Sequence, residues 1–277
     1  MTASAPRTAL ADGASIDAVG YGVYKVPPAD TEDLCSTALG AGYRLLDTAA
    51  LYGNEDGVGA AARTYLETGD RDDLFITSKL WNDDHGYDST LRAFDTTMEL
   101  LGLDRLDLYL IHWPCASKDL YVDSWRALER LRADGRVRSI GVSNFQQAHL
   151  ERLLAEADVV PVLNQIELHP YLQQRELRAF HQQHGIATQA WSPLGRGNVL
   201  ADPGIGRLAA DLGRTPAQVI LRWHYQHGIL TIPKASSPER ISSNLDIFGF
   251  ELGDDHVTVL DALDRNQRFG SHPDQVG

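Results

Sequence analysis

The sequence has little of what several function classes require. There are two cysteines, Cys35 and Cys115, in 277 residues and no C-x-x-C pair. That is too few for a disulfide scaffold and fits a reducing, cytoplasmic setting. No stretch approaches 18 consecutive apolar residues, so no membrane-spanning helix is expected. Positive charge is scarce, with 25 Lys and Arg against 38 Asp and Glu, a net charge of −13. Such a surface repels nucleic acid and anionic lipid, and neither is expected as a partner. An anionic small ligand would need a local basic cluster. The N-terminus is alanine-rich, but Asp12 and Asp17 interrupt it before an apolar segment forms, so no secretory leader is expected. No P-loop is present. No G-x-G-x-x-G follows the first apolar run, as a doubly wound dinucleotide-binding sheet would carry. The nearest match, Gly204-Ile205-Gly206-Arg207-Leu208-Ala209, comes late and follows Ala-Asp-Pro rather than a strand.

What the sequence does hold is a repeating alternation. A hydrophobic share of 43% and a charged share of 23% suit a chain with a full core. Asp12-Gly13 is a turn signal inside a candidate hairpin over 8–18. After it, short apolar runs rich in strand formers recur about every thirty residues. They cover 18–26, 43–47, 74–80, 106–112, 137–143, 160–166, 186–191 and 229–233. Helical stretches lie between them. Over 121–134, Val122, Trp125, Leu128 and Leu131 form a stripe at three-residue steps. Others cover 173–184 and 216–227, and Ser237-Pro238-Glu239 is a helix start. Gly42 and Gly135 sit where helices end. Eight strand–helix alternations predict an α/β fold, a (β/α)8 TIM barrel with an N-terminal β-hairpin, as one domain over 1–277.

Function in such barrels collects at the C-terminal ends of the strands. The second run ends at Asp47, the third at Lys79 and the fourth at His112. The fifth ends in Ser143-Asn144, the sixth in Asn164-Gln165, the seventh in Trp191-Ser192 and the eighth in Pro233-Lys234. Taken singly, Asp47 reads as a cap, Lys79 as a surface lysine, His112 as a hydrogen-bonded core histidine and Tyr52 as a loop tyrosine. Together they read otherwise, because Asp47, Lys79 and His112 end three adjacent strands and can converge. A lysine buried there needs a counter-ion, which Asp47 on the next strand supplies.

These residues lie in segments that resemble the aldo-keto reductases. The segments are Leu46-Asp47-Thr48-Ala49 with Tyr52-Gly53-Asn54-Glu55, Thr77-Ser78-Lys79-Leu80-Trp81, and Asp107 through Pro114. Gly141-Val142-Ser143-Asn144-Phe145, Asn164-Gln165-Ile166-Glu167, and Ile232-Pro233-Lys234 with Arg240 continue the match over nearly the whole chain. Gly20 through Pro28 and Lys79-Leu80-Trp81-Asn82-Asp83 resemble most the bacterial branch that includes 2,5-diketo-D-gluconate reductases.

The resemblance implies reduction of aldehydes and ketones by hydride transfer from NADPH. Tyr52 would be the general acid, Lys79 its tuner, Asp47 the anchor of Lys79, and His112 the residue that orients the substrate oxygen. The residue types agree, since a phenol holds a proton at neutral pH and a nearby ammonium should lower its pKa. Ser143, Asn144 and Gln165 suit a carboxamide, and Trp191 can stack on a nicotinamide. Val23, Tyr24, Ser192 and Leu194 are further expected cofactor contacts. Lys234 and Arg240 are the sought basic cluster and suit a 2′-phosphate, with Asn244 toward the adenine. Ala235 stands where the family often has Ser, a lost hydroxyl toward that phosphate. Tyr24, Trp81, His112 and Trp113 would bound the substrate, and 268–277 would be a loop over the barrel mouth.

Other signals lead elsewhere. His181 and His184 have helical spacing but no third ligand, so no metal is expected. Gly141-Val142-Ser143-Asn144-Phe145 lacks the last glycine of a hydrolase elbow. On the residues alone, a barrel hydrolase or isomerase binding a phosphorylated substrate near Lys234 stays open, as does a non-catalytic binding protein. The substrate stays open among 2,5-diketo-D-gluconate, aldoses, methylglyoxal and aromatic aldehydes. The family expectation is a monomer.

Overall fold

A computed structural model describes residues 5–276; residues 1–4, at the start of the alanine-rich N-terminus, and Gly277, at the end of the predicted tail loop, lie outside the described residues. The hairpin forms as β1 (Arg7–Ala9) and β2 (Ser15–Asp17), paired antiparallel. Asp12 shapes its turn by accepting from the Ala14 N–H at 3.0 Å, and its other oxygen accepts from Ser139 at 2.8 Å. Leu10, Ala14 and Ile16 then pack with Leu45, Phe75, Leu108, Leu163 and Leu230 inside the barrel. The hairpin is thus a plug for the end opposite the strand C-termini.

Eight parallel strands follow: β3 (Tyr21–Gly22), β4 (Leu45–Asp47), β5 (Phe75–Leu80), β6 (Leu106–Ile111), β7 (Val137–Ser143), β8 (Leu163–Glu167), β9 (Ala187–Trp191) and β10 (Leu230–Thr231). They pair in sequence order from β3 to β10. A parallel bridge from Val19 to Thr231 closes the ring, with Gly20 N–H donating to Thr231 O at 2.8 Å and Thr231 N–H to Ala18 O at 3.0 Å. The closure is tight: a Cβ on Gly22 would lie 2.8 Å from the Ile232 carbonyl oxygen, so a side chain would push the first strand off the last.

Two runs differ from expectation. The run 18–26 contributes only a two-residue strand, preceded by the Val19 bridge and followed by a turn in which Lys25 adopts φ 61. The run 160–166 starts late, with Val160 exposed, and its strand continues to Glu167. The predicted stretches form helices over Tyr121–Ala133, Arg175–Gln183, Pro216–Gln226 and Pro238–Leu245. Ser237 caps the last of these by accepting from the Arg240 N–H. Among the helices outside the predicted stretches are Pro203–Leu212, which holds Gly204 and Gly206, and Asp254–Asp261. The start signal of the former is regular: Asp202 accepts from the Gly204 N–H at 2.7 Å, and Pro203 takes the first turn. No helix among the described residues is long and apolar enough to cross a membrane.

Two cores follow from strand alternation. Leu46, Ile76, Tyr109, Val142 and Ile166 face outward and pack under the helices. Their neighbours Leu45, Phe75, Leu108 and Leu163 face the lumen. Stepping by two along each strand from these lumen residues leads to the polar residues at the mouth.

Candidate active site

Asp47 lies two residues past Leu45, Lys79 four past Phe75, His112 four past Leu108, and Gln165 two past Leu163. Each therefore shares the lumen face with an apolar residue below it. Alternation and register bring them together, and all four are buried. Lys79 Nζ donates to Asp47 Oδ1 at 2.6 Å and to the Thr48 carbonyl at 2.8 Å. The second Asp47 oxygen accepts from Gln165 Nε2 at 2.7 Å, and the same amide donates to Gln189 at 2.8 Å. Tyr52 enters from the loop after β4. Its ring lies 5.1 Å from Lys79 Nζ, centroid to nitrogen, and 5.7 Å from the His112 ring, edge-on.

The electrostatics depart from the expected tuning. Burial pushes Asp47 up and Lys79 down, each toward its neutral form, and the hydrogen bonds between them oppose this. Burial also raises the Tyr52 hydroxyl well above its ordinary value, and the charges of Asp47 and Tyr24 add to the rise. The expected lowering of Tyr52 does not prevail: burial sets the direction, and the charges of Asp47 and Tyr24 act the same way. Burial, followed by the Lys79 charge, holds His112 well below the ordinary histidine range, so its ring is neutral. His112 Nδ1 is buried without a partner, which leaves Nε2 as the nitrogen able to meet a ligand.

Above this cluster opens a cavity of about 300 Å³ lined by Tyr24, Leu51, Trp81, Trp113, Trp191 and Val276 among others. A second cavity of about 740 Å³ adjoins it and shares Tyr24, Ser192, Arg196 and Lys234. Leu194, Arg240 and Asn244 also line it, with Lys25, Thr215 and Ser243. Lys234 and Arg240 are exposed and make no ion pair among the described residues. A nicotinamide dinucleotide phosphate fits this pair of cavities: two free cations at one end and Trp191 toward the other. Ser143 Oγ donates to the Gln165 carbonyl at 2.8 Å and accepts from Asn144 Nδ2 at 3.1 Å, which leaves one lone pair for a carboxamide. Gln165 spends its N–H groups on Asp47 and Gln189, leaving its oxygen to accept. Asn144, in the left-handed region at φ 64, donates to the His112 carbonyl at 2.9 Å and holds Trp191 Nε1 on its oxygen at 2.8 Å.

One expected contact is misplaced. Val23 is fully buried in the outer core, and its carbonyl accepts from Asn54. Its neighbours Gly22 and Tyr24 face the cavity instead, as strand alternation requires. Asn164 likewise points outward, donating to the Phe145 carbonyl and lying 3.0 Å from His181 Nε2. That buried contact, with Thr188 on the other ring nitrogen at 2.8 Å, accounts for His181. Leu51, Arg196, Ser271 and Val276 were not singled out from the sequence. They sit on single 3-10 turns or irregular segments outside the main elements, where no period marks which side chain turns inward.

Comparison with known proteins finds relatives over nearly the whole chain. A model of the Aldo/keto reductase family matches residues 18–265. An aldo-keto reductase of Mycobacterium sp. (strain JLS) is 52% identical over 270 residues, 97% of each chain. The glyoxal reductase of Bacillus subtilis (strain 168) is 48% identical over 269 residues, 96% of each chain. The crystal structure of a mutant of Gox0644 in complex with NADPH superposes with a TM-score of 0.95 at 47% identity, covering 99% of this chain and 100% of that one.

Proposed function

The chain belongs to the aldo/keto reductase family, and from that premise we propose that it reduces small aldehydes and α-dicarbonyl compounds with Tyr52 as the proton donor. It is an oxidoreductase that uses NADP(H). The observation that carries the finer reading is the buried Lys79–Asp47 pair beneath Tyr52, with neutral His112 beside it, at the floor of the cavity.

When bound, NADPH supplies the hydride. The protein's part is to place the carbonyl and deliver one proton. His112 Nε2 hydrogen-bonds the carbonyl oxygen and orients it. Tyr52, its pKa raised by burial, holds its proton until charge develops on that oxygen. An alkoxide is a stronger base than a phenolate, so transfer remains downhill even from a raised phenol. Lys79, pinned by Asp47 and Thr48, stands by the phenolate that results. Tyr24, Leu51, Trp81 and Trp113 wall the site and exclude water. Lys234 and Arg240 hold the 2′-phosphate, which favours NADPH over NADH. The size of the cavity and the relatives named glyoxal reductase and methylglyoxal reductase support a small substrate. With both cysteines buried and free, we place the enzyme in the cytoplasm, as a monomer of one barrel domain.

The test is NADPH consumption against a panel containing glyoxal, methylglyoxal, 2,5-diketo-D-gluconate and an aromatic aldehyde, repeated with NADH. The reading expects turnover of the small dicarbonyls with NADPH preferred. Turnover of none of the panel would overturn it.

A further inference from the structure

Glu167 ends β8 on the lumen face, two residues beyond Gln165, and its carboxylate is fully buried. It has no part in the chemistry above. A carboxylate removed from water must find donors or lose its charge. Here the C-terminal tail provides them. The Phe269 N–H donates at 2.7 Å, the Gly270 N–H reaches the two oxygens at 3.0 and 3.2 Å, and the Arg268 guanidinium lies at 3.5 Å. His169 Nε2 approaches to 3.2 Å. Burial acts to raise this carboxyl, but the hydrogen bonds from His169, Phe269 and Gly270 outweigh it and hold the group below its ordinary value.

The contact leaves no slack. A Cβ on Gly270 would lie 2.4 Å from Trp191 Cη2 and 2.8 Å from Glu167 Oε2, so the tail backbone lies directly against the indole. The Phe269 ring packs on His169 with centroids 5.0 Å apart. Just beyond this clasp, Ser271 and then Val276 line the carbonyl cavity. One buried carboxylate therefore sets both the edge of Trp191 and one wall of the substrate site.

We infer that Glu167 is a positioning residue that clasps the C-terminal tail to the barrel mouth and so sets which carbonyl compounds the cavity admits. It does this without touching the reacting atoms. The selectivity part rests on the carbonyl-reductase reading, whereas the clasp can be measured without catalysis.

Three full-length variants test it. E167A removes the acceptor, E167Q keeps an acceptor oxygen without the charge, and G270A keeps the carboxylate but drives the tail off Trp191. Tryptic cleavage after Arg268, referenced to cleavage after exposed Arg265, should be about tenfold faster in E167A and in G270A than in the parent, and intermediate in E167Q. With saturating NADPH, the ratio of kcat/KM for a bulky aromatic aldehyde to that for methylglyoxal should shift about tenfold in both, through KM, with kcat for methylglyoxal within about threefold. The double variant should shift no further than the larger single one. Unchanged cleavage after Arg268 in E167A and G270A overturns the clasp. A fully additive double variant, or a loss confined to kcat, overturns the role in selectivity. If E167A does not fold, G270A and E167Q decide. If the parent turns over no carbonyl compound, the functional reading fails while the cleavage rates still decide the clasp.

Discussion

Two sets of cations border the same barrel mouth in opposite surroundings. Lys79 is fully buried and spends its charge on Asp47, with 2.6 Å between nitrogen and oxygen. Lys234 and Arg240 are exposed and without a carboxylate partner among the described residues. The buried pair is a fixed internal dipole whose desolvation must be offset by the hydrogen bonds of Thr48 and Gln165. The exposed pair keeps its charge for an incoming phosphate, which matters in a chain of net charge −13. Residues of one chemical type thus serve chemistry in one place and recruitment in the other, according to whether a neighbour has already claimed the charge.

The largest expected effect breaks the buried side. Tyr52→Phe removes the proton and should lower kcat by about 100-fold or more while leaving NADPH affinity, read by tryptophan fluorescence, unchanged; retention of more than a tenth of activity would refute the assignment. Next, Lys79→Met leaves Asp47 buried and unpaired and should cost about 3–5 kcal/mol in urea unfolding, whereas Asp47→Asn combined with Lys79→Met should cost less than Lys79→Met alone. If the exposed pair is a free clamp, Arg240→Ala should weaken NADPH binding about tenfold and leave NADH binding within about twofold; equal losses for both would show that Arg240 does not read the phosphate. Ser237→Ala removes the cap of the helix that carries Arg240 and should cost about 1 kcal/mol in chemical denaturation.

The smallest effect is a flat line. His112 is held well below its ordinary value and Tyr52 well above its own, so no cluster group that must change charge for reduction titrates between them. Reduction measured as kcat/KM should vary less than about twofold from pH 6 to 8. An inflection near the ordinary histidine pKa would mean that a protonated imidazole, and not Tyr52, delivers the proton.

Much of the fold was legible because its cues are local. The Val122–Leu131 stripe, the Ser237-Pro238 start and the Asp12-Gly13 turn each act within a few residues, and each lies where its element forms. Local cues conflict at Asp202-Pro203, where a capped helix start is followed by two glycines within four residues. At the site, the strand-end residues Asp47, Lys79, His112 and Gln165 could be picked out because a polar residue ending an apolar run stands out. Val23 could not be placed, since a two-residue strand leaves no period to set its facing. The resemblance placed the tail over 268–277 at the barrel mouth but not which of its residues line the cavity, because the tail is held there by Glu167 bonding Phe269 and Gly270, about a hundred positions away.

By itself, then, the sequence determined the succession of strands and helices and the residue types at the strand ends, since propensity, capping and alternation act over short stretches of chain. Only the tertiary structure decided which end residues share the lumen and that the tail closes over Trp191. It alone decided that Lys79 pairs with Asp47 and that burial drives Tyr52 up rather than down. Desolvation and charge pairing depend on distances between segments far apart in the chain, and folding alone sets those distances.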